Sequence, residues 1–486
     1  MIEIIETPKG PSLDEYAASI HLANAVDELR DTAYSIVPKF AGRTLWMVNS
    51  TAKGGGVAEM LPRQVGIFDE LGIETRWAVI GTHRKELFDL TKRLHNLLHG
   101  AGEPVMTDAD RALYELVSRE LQAEFQPMLG PDDVLMIHDP QPAGMGALIK
   151  RELDLPGVWR CHIGLDEDLP QTRAGWNFLR PYVSAYDRAV FTAPEYIPDF
   201  LADRADLVRP ALDPYSAKNR QLRVPEVVEI LGRSGLMIPT WRLLKPPFSH
   251  PAERLQADGT FGPATEPEDL GILYRPIVME VSRWDRLKGW APLVEGFATL
   301  KRSIPSVTDV DHRKVLEDVA LLLVGPEPAA VSDDPEAVDV LNELTSIYRS
   351  LPRELQRDIA LLSLPMTDSR ENALMVNALQ TAASVVVQNS VREGFGLTAT
   401  EPMWKGTPVL VSSACGLRQQ VRPGIEGEMI RNADDPDEIA AALDRLLRDP
   451  DRRATMARNA QRRVREEFLV FTQVRNDLRV LERALG

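Results

Sequence analysis

Glu393 and Glu401 bracket the string Glu393-Gly394-Phe395-Gly396-Leu397-Thr398-Ala399-Thr400-Glu401. The string follows an apolar run at 384–388 and leads into a helical pattern through Met403 and Trp404, so it reads as strand, loop and helix. Glycines at such a turn let backbone N–H groups close on a ligand, and the helix N-terminus behind them favours phosphate. Glu393 precedes that helix and Glu401 lies about a turn inside it, a spacing that suits an extended ligand held at a sugar and at a ribose. A turn glutamate and a surface glutamate are the plain alternative, adequate for a lone Gly-x-Gly but not for the whole string. A second cluster, Val281-Ser282-Arg283-Trp284-Asp285-Arg286-Leu287-Lys288-Gly289, follows the apolar run 277–281. Arg283 and Lys288 at the end of a strand can neutralise a departing diphosphate without a metal, though a surface Arg/Lys pair fits the spacing equally.

Third is Asn49-Ser50-Thr51-Ala52-Lys53-Gly54-Gly55-Gly56, placed after the first strong strand pattern and opening a helix. Its glycines make a cradle for an anion or a sugar, but their order is neither a dinucleotide fingerprint nor an NTPase loop. Two further clusters, His138-Asp139-Pro140-Gln141-Pro142 and Arg160-Cys161-His162-Ile163, end apolar runs. Polar groups ending buried strands are costly unless something uses them. They can hydrogen-bond sugar hydroxyls, and His162 can stabilise positive charge building on a sugar ring; a satisfied structural histidine is the alternative for either alone. Three Asp-x-Asp or Asp-Glu-Asp triples, starting at Asp108, Asp166 and Asp309, are expected by chance among 72 acidic residues, so no metal and no cofactor is expected.

These side chains need rigid strands to aim them. Short β-rich runs alternate with helical patterns in both halves, at 44–48, 134–137, 158–161 and 189–191, then at 277–281, 319–324, 359–362, 384–388 and 408–411. That is parallel α/β construction, with ligands at the carboxyl ends of the strands. The 486 residues suit two domains. Turn formers at 209–219 read as their connection, and 243–270 as an exposed loop or insert. The expected boundaries are 1–215 for an N-terminal acceptor-side domain and 216–462 for a C-terminal donor domain, with 463–486 forming a helix that returns to the first. A net charge of −16 argues against nucleic acid and against an anionic membrane surface. Two separated cysteines exclude a disulfide framework, and the missing signal-peptide layout and membrane-length apolar run make the cytoplasm the expected address.

The Glu393/Glu401 string resembles the E-x7-E motif of retaining glycosyltransferases of family 4. Together with NST-x-x-GGGVAEML, IHDPQP, RCHI, LDPYSAKN, VSRWDRLKG and ENALMVNALQ, spread over about residues 40–413, it is similar to the trehalose synthases of the glycosyl-transferring type. The resemblance implies an α/β GT-B fold, two Rossmann-like doubly wound domains facing each other across a cleft. It further implies that Arg283 and Lys288 hold the donor diphosphate and that Glu393, Gly394 and the amides of Phe395, Gly396 and Leu397 hold the donor sugar. Glu401 would bind the ribose, His162 and Asp139 would touch the transferred sugar, and Gly55 and Gly56 would line the phosphate side. Asn49, His138, Gln141 and Arg160, on the half that faces the acceptor in this architecture, are the expected acceptor ligands. Two positions depart from the pattern. Ala414-Cys415-Gly416-Leu417 stands where a Gly-Gly turn is usual, and Pro402 where Ala is usual.

The expected reaction moves glucose from a nucleoside-diphosphate glucose onto glucose, retaining the anomeric configuration and giving α,α-trehalose. The partners are these two small molecules, with a homodimer allowed. Alternatives are another small acceptor (an amino sugar, a cyclitol or a sugar acid), a nucleotide-sugar 2-epimerase, or non-catalytic binding of a sugar nucleotide.

Overall fold

Leu45–Asn49 and Val134–His138 are buried at every position. Strands covered on both faces lose the alternation of polar and apolar residues and read as continuous hydrophobic runs. The computed structural model describes residues 1–52, 56–240, 242–327 and 336–486. The chain divides into one unit of Met1–Asp213 with Arg465–Gly486 and a second of Pro214–Val464.

The first unit contains seven strands: β1 (Ile2–Ile5), β2 (Leu45–Asn49), β3 (Thr75–Ile80), β4 (Val134–His138), β5 (Gly157–Arg160), β6 (Arg188–Phe191) and β7 (Ala205–Leu207). Their order in the sheet is β1-β3-β2-β4-β5-β6-β7, parallel except for β1, which runs antiparallel to β3. From β2 the chain passes through helix Gly56–Glu70 to β3 on one side, then crosses to β4 on the other. Such a reversal opens a crevice at the carboxyl ends of the two central strands. Asn49 and His138 are the last residues of those strands.

The second unit repeats the plan with β8 (Glu253–Leu255), β9 (Phe261–Pro263), β10 (Ile277–Val281), β11 (Ala320–Pro326), β12 (Ile359–Leu364), β13 (Val385–Gln388), β14 (Val409–Ser412) and β15 (Gly427–Ile430), in the order β15-β14-β13-β10-β11-β12-β8-β9. Its reversal lies between β10 and β13, so the segments after Val281 and Gln388 leave from the switch point. The pleat sends alternate residues to opposite layers: Leu321 and Leu323 of β11 pack with Phe297 and Leu443, Leu322 and Val324 with Met375 and Leu379. Part of 243–270 differs from the exposed loop expected there. β8 and β9 form a hairpin antiparallel to β12, with Ala252, Leu255 and Ala264 buried. Strands of three residues are too short to show a period.

Arg160, expected as an acceptor ligand, is instead a core pin. Its side chain is 1% exposed, donates to both carboxylate oxygens of Asp477 at 3.0 and 3.1 Å and reaches Val208 O at 3.3 Å. Asp477 lies on the terminal helix Val470–Leu485, whose apolar side chains Phe471, Val474 and Leu478 are buried. The guanidinium is committed within the unit. Arg160→Met should cost about 3–5 kcal/mol, because Asp477 stays buried without its partner. Adding Asp477→Leu should recover much of the loss. Urea unfolding of the three proteins checks this, and a single variant as stable as the parent would remove the pair from this role.

Candidate active site

In the second unit, the segment after β10 carries both expected cations. Lys288 Nζ lies 2.5 Å from Glu393 Oε2, and both side chains are largely covered. Ser390 Oγ donates to the same oxygen at 3.1 Å. Val391 N donates to Leu287 O at 2.7 Å, a second tie between the segments that follow β10 and β13. Gly289 sets the end of the cationic segment. Its φ is +65°, and a Cβ there would stand 2.2 Å from Asn389 O, so only glycine fits. Arg283 is 59% exposed, with its guanidinium 3.9 Å from the Asp285 carboxylate.

Glu393-Gly394-Phe395-Gly396 arches into the N-terminus of helix Leu397–Lys405, which Gly396 starts from a left-handed conformation at φ +84°. The first amides of a helix have no partner within it and point at whatever anion or hydroxyl sits there. Gln420 Nε2 holds the arch from behind, bonding Phe395 O, and Gly396 O and Gly416 O at 3.2 Å each. Gly416 N also donates to Glu393 O at 3.0 Å. Glu401, a turn inside, is buried, and its carboxylate accepts from Gln380 Nε2 at 3.1 Å and lies 3.7 Å from Lys218 Nζ. Lys405 stands behind it, bonded to Gln380 Oε1 at 2.8 Å, and burial brings its pKa down to about 7.

In the first unit, His138 and His162 stack with rings 8° from parallel, and His138 Nδ1 lies 3.1 Å from His162 Nε2. Burial, reinforced by the Arg160 charge, lowers the His138 pKa to about 3 and pushes His162 well below the usual imidazole range. Both are therefore uncharged at neutral pH, able to donate and accept hydrogen bonds but carrying no positive charge. Asp139 has φ 65°, and its Oδ1 accepts from His162 N at 2.8 Å. Burial raises its carboxyl to about 7 against the opposing His162 bond and Arg160 charge. Among the described residues, Gln141 Oε1 and His138 Nε2 are buried atoms without a hydrogen-bond partner, a costly state that a ligand hydroxyl can relieve.

Asn49 is a correction. It is buried, accepts from Trp77 Nε1 at 2.8 Å and donates to Thr51 O at 2.7 Å, so it fastens the start of its loop and presents little to a ligand. Gly55 lies outside the described residues, and Gly56 opens helix Gly56–Glu70.

With this geometry described, comparison with known proteins decides the family. Residues 47–198 match the model described as "Trehalose synthase, N-terminal domain", and 364–463 match "Glycosyl transferases group 1". A trehalose synthase from Pyrococcus horikoshii is 33% identical over 485 residues, covering 99% of each chain. This chain belongs to the trehalose synthase family. A trehalose phosphorylase from Grifola frondosa is 26% identical over 95% of this chain and 61% of its own. Among solved structures, an α,α-trehalose-phosphate synthase (UDP-forming) from Burkholderia xenovorans, in complex with glucose-6-phosphate, superposes with TM-score 0.62 at 18% identity, covering 90% of this chain and 100% of that one. The fold is GT-B, with two Rossmann-like domains, and the protein is a glycosyltransferase.

Residues 414–417 hold a glycine the arch requires. A Cβ on Gly416 would stand 2.5 Å from Phe395 Cα and 2.7 Å from Glu393 O. Backbone so close cannot step aside without moving the arch. Gly416→Ala should therefore cost about 1–3 kcal/mol, the usual range for overpacking, and speed amide exchange at 393–397. Unchanged exchange across that arch would show that the contact does not hold it.

Proposed function

We propose that the protein transfers a glucosyl unit from a nucleoside-diphosphate glucose to glucose, with retention at the anomeric carbon, and makes α,α-trehalose. The observation that carries this reading is the pairing of Lys288 with Glu393 beside a helix N-terminus, at the switch point between β10 and β13. Family membership and the UDP-forming fold neighbour support it. As the bond from the anomeric carbon to the phosphate oxygen breaks, negative charge grows on the diphosphate. Arg283, Lys288 and the amides of Phe395, Gly396 and Leu397 stabilise it, and such preorganised charge acts most strongly in the transition state.

The acceptor hydroxyl attacks from the side the phosphate leaves, and its proton passes to the departing phosphate oxygen. Glu393 and Gly394 hold the sugar, Glu401 the ribose, and His162 and Asp139 border the reacting ring. Neutral imidazole suits that place, since a charged one would oppose positive charge on the ring. His138 and Gln141 stand as acceptor-side groups. No metal is required by this scheme.

A second reading has glucose 1-phosphate as donor, favoured by the likeness to a trehalose phosphorylase. Incubation with a panel of nucleotide-glucoses and glucose 1-phosphate, each with glucose, glucosamine, glycerate or a cyclitol, separates the two, with product linkage read by NMR. Should glucose trail another acceptor by more than about 100-fold in kcat/KM, about 2.7 kcal/mol of transition-state binding, the trehalose product is wrong.

Two outcomes follow from the cationic clamp. Transfer should survive EDTA; loss restored by magnesium would overturn the metal-independent scheme. Lys288→Ala and Arg283→Ala should each lower kcat by about 100-fold or more, as removal of one transition-state donor does, with the Arg283→Ala thermal midpoint near the parent's and the Lys288→Ala midpoint lowered, because Glu393 stays covered without its partner. Unchanged kcat in both variants would remove them from the clamp.

A further inference from the structure

Gln388, the last residue of β13, is buried beneath the Glu393 arch. Its Nε2 lies 2.9 Å from Ser390 Oγ, 3.1 Å from Ser282 Oγ and 3.4 Å from Glu280 Oε1. Its Oε1 accepts from Thr398 Oγ1 at 2.5 Å. The amide nitrogen has two hydrogens, so the two shorter contacts, to Ser390 and Ser282, claim them. Ser390, accepting from Gln388, then directs its own hydrogen to Glu393 Oε2 at 3.1 Å. Were the amide turned over, its oxygen would face Ser390, whose hydrogen would go to Gln388, and Glu393 would lose this bond.

We propose that Gln388 is a positioning residue: it fixes the direction of a hydrogen-bond chain from Thr398 through Gln388 and Ser390 to Glu393, and so holds the Glu393 carboxylate in place for the transferred sugar. The proposal rests on Glu393 being a donor-sugar ligand, as read above. The chain joins the three segments that make up the donor side: β10 through Ser282, β13 through Gln388 itself, and helix Leu397–Lys405 through its first turn at Thr398. Lys288 reaches Glu393 on a flexible four-carbon stem, which fixes a carboxylate oxygen less well than a short buried hydroxyl. Ser390 is that hydroxyl, wholly buried, with its carbonyl held by Ser412 Oγ. Beneath the chain, Glu280 is completely buried, and burial holds its carboxyl well above the usual range. Glu280→Gln preserves its shape, and the Gln388 amide hydrogens are claimed by Ser390 and Ser282 rather than by Glu280.

The test is a double-substitution cycle of Gln388→Met, Glu393→Gln and the pair, titrated calorimetrically with UDP-glucose, ADP-glucose and the matching nucleoside diphosphates. Gln388→Met should weaken nucleotide-glucose about tenfold, the loss expected of a hydrogen bond to a charged group. Affinity for the nucleoside diphosphate alone should not change. In the Glu393→Gln background, Gln388→Met should cost nothing further. Ser390→Ala should behave as Gln388→Met does, and carries the same cycle if the methionine variant fails to fold. Glu280→Gln should match the parent. Equal weakening of nucleoside diphosphate, or the same loss in both backgrounds, marks a merely structural role and overturns the inference alone. A parent that binds no nucleotide-glucose overturns the donor reading, and this inference with it.

Discussion

The ion pair between Lys288 and Glu393 is the constraint on which the candidate site of the second unit is built. Two opposite charges shielded from water must satisfy each other, because either alone would carry a large desolvation cost. The pair therefore draws together the segments that leave β10 and β13, and the bond from Val391 N to Leu287 O makes that approach rigid. On the proposed reading, a donor phosphate competes with Glu393 for Lys288. What it displaces is a partner whose other contacts, from Ser390 Oγ and through its carbonyl from Gly416 N, stay in place. A carboxylate released from an ion pair but still held is an acceptor ready for a sugar hydroxyl.

Close approach of backbone to backbone is the second consequence. The arch at 393–396 packs on Gly416, and Gly289 packs on Asn389, each where a side chain would collide. Such positions fix where the amides of a helix N-terminus point, and amides already oriented need no reorganisation when charge develops near them. Gln420 adds to the arrangement: its Nε2 donates to Phe395 O and lies 3.2 Å from both Gly396 O and Gly416 O.

Part of this was legible in the sequence because the elements around Lys288 and Glu393 lie in two short contiguous strings. Residues 281–289 and 385–405 each carry strand and loop together, so local pattern sufficed to place Lys288, Glu393 and Glu401 on the loops and helix that bear them. Spatial partners supplied by distant sequence were not legible. Arg160 reads as a strand-end polar group until Asp477, 317 residues away, is seen to neutralise it. Asn49 misled in the same way, since Trp77 of β3 claims its side chain. β3 itself gives a weak signal, because Arg76 interrupts a short apolar run at an exposed position. Gln388 ends the apolar run 384–388 and Ser390 follows two residues later, yet nothing in residue type separates a buried relay from a loop amide and hydroxyl. Gly416 was the partial exception. It stands in the segment 414–417, whose sequence departs from the expected Gly-Gly turn, and a Cβ there would strike the arch.

The electrostatics of the two units differ in kind, and the difference bears on what each can hold. Around His138, Asp139 and His162, burial suppresses charge: both imidazoles are neutral, and the Asp139 carboxyl titrates near neutrality. The nearby cation, Arg160, is consumed by Asp477. On the proposed reading, such a site would discriminate hydroxyl patterns, since buried polar atoms left unmatched are penalised strongly. In the second unit Lys288 is paired with Glu393, which precedes the N-terminus of helix Leu397–Lys405, and the chain's net charge of −16 sets that cation against an acidic background. On the proposed reading, an anion repelled by the overall field would be accepted by Lys288, Arg283 and the amides of that helix N-terminus. On the same reading, a neutral sugar feels little of that field, and hydrogen bonds such as Gln141 Oε1 and His138 Nε2 still lack would decide its place.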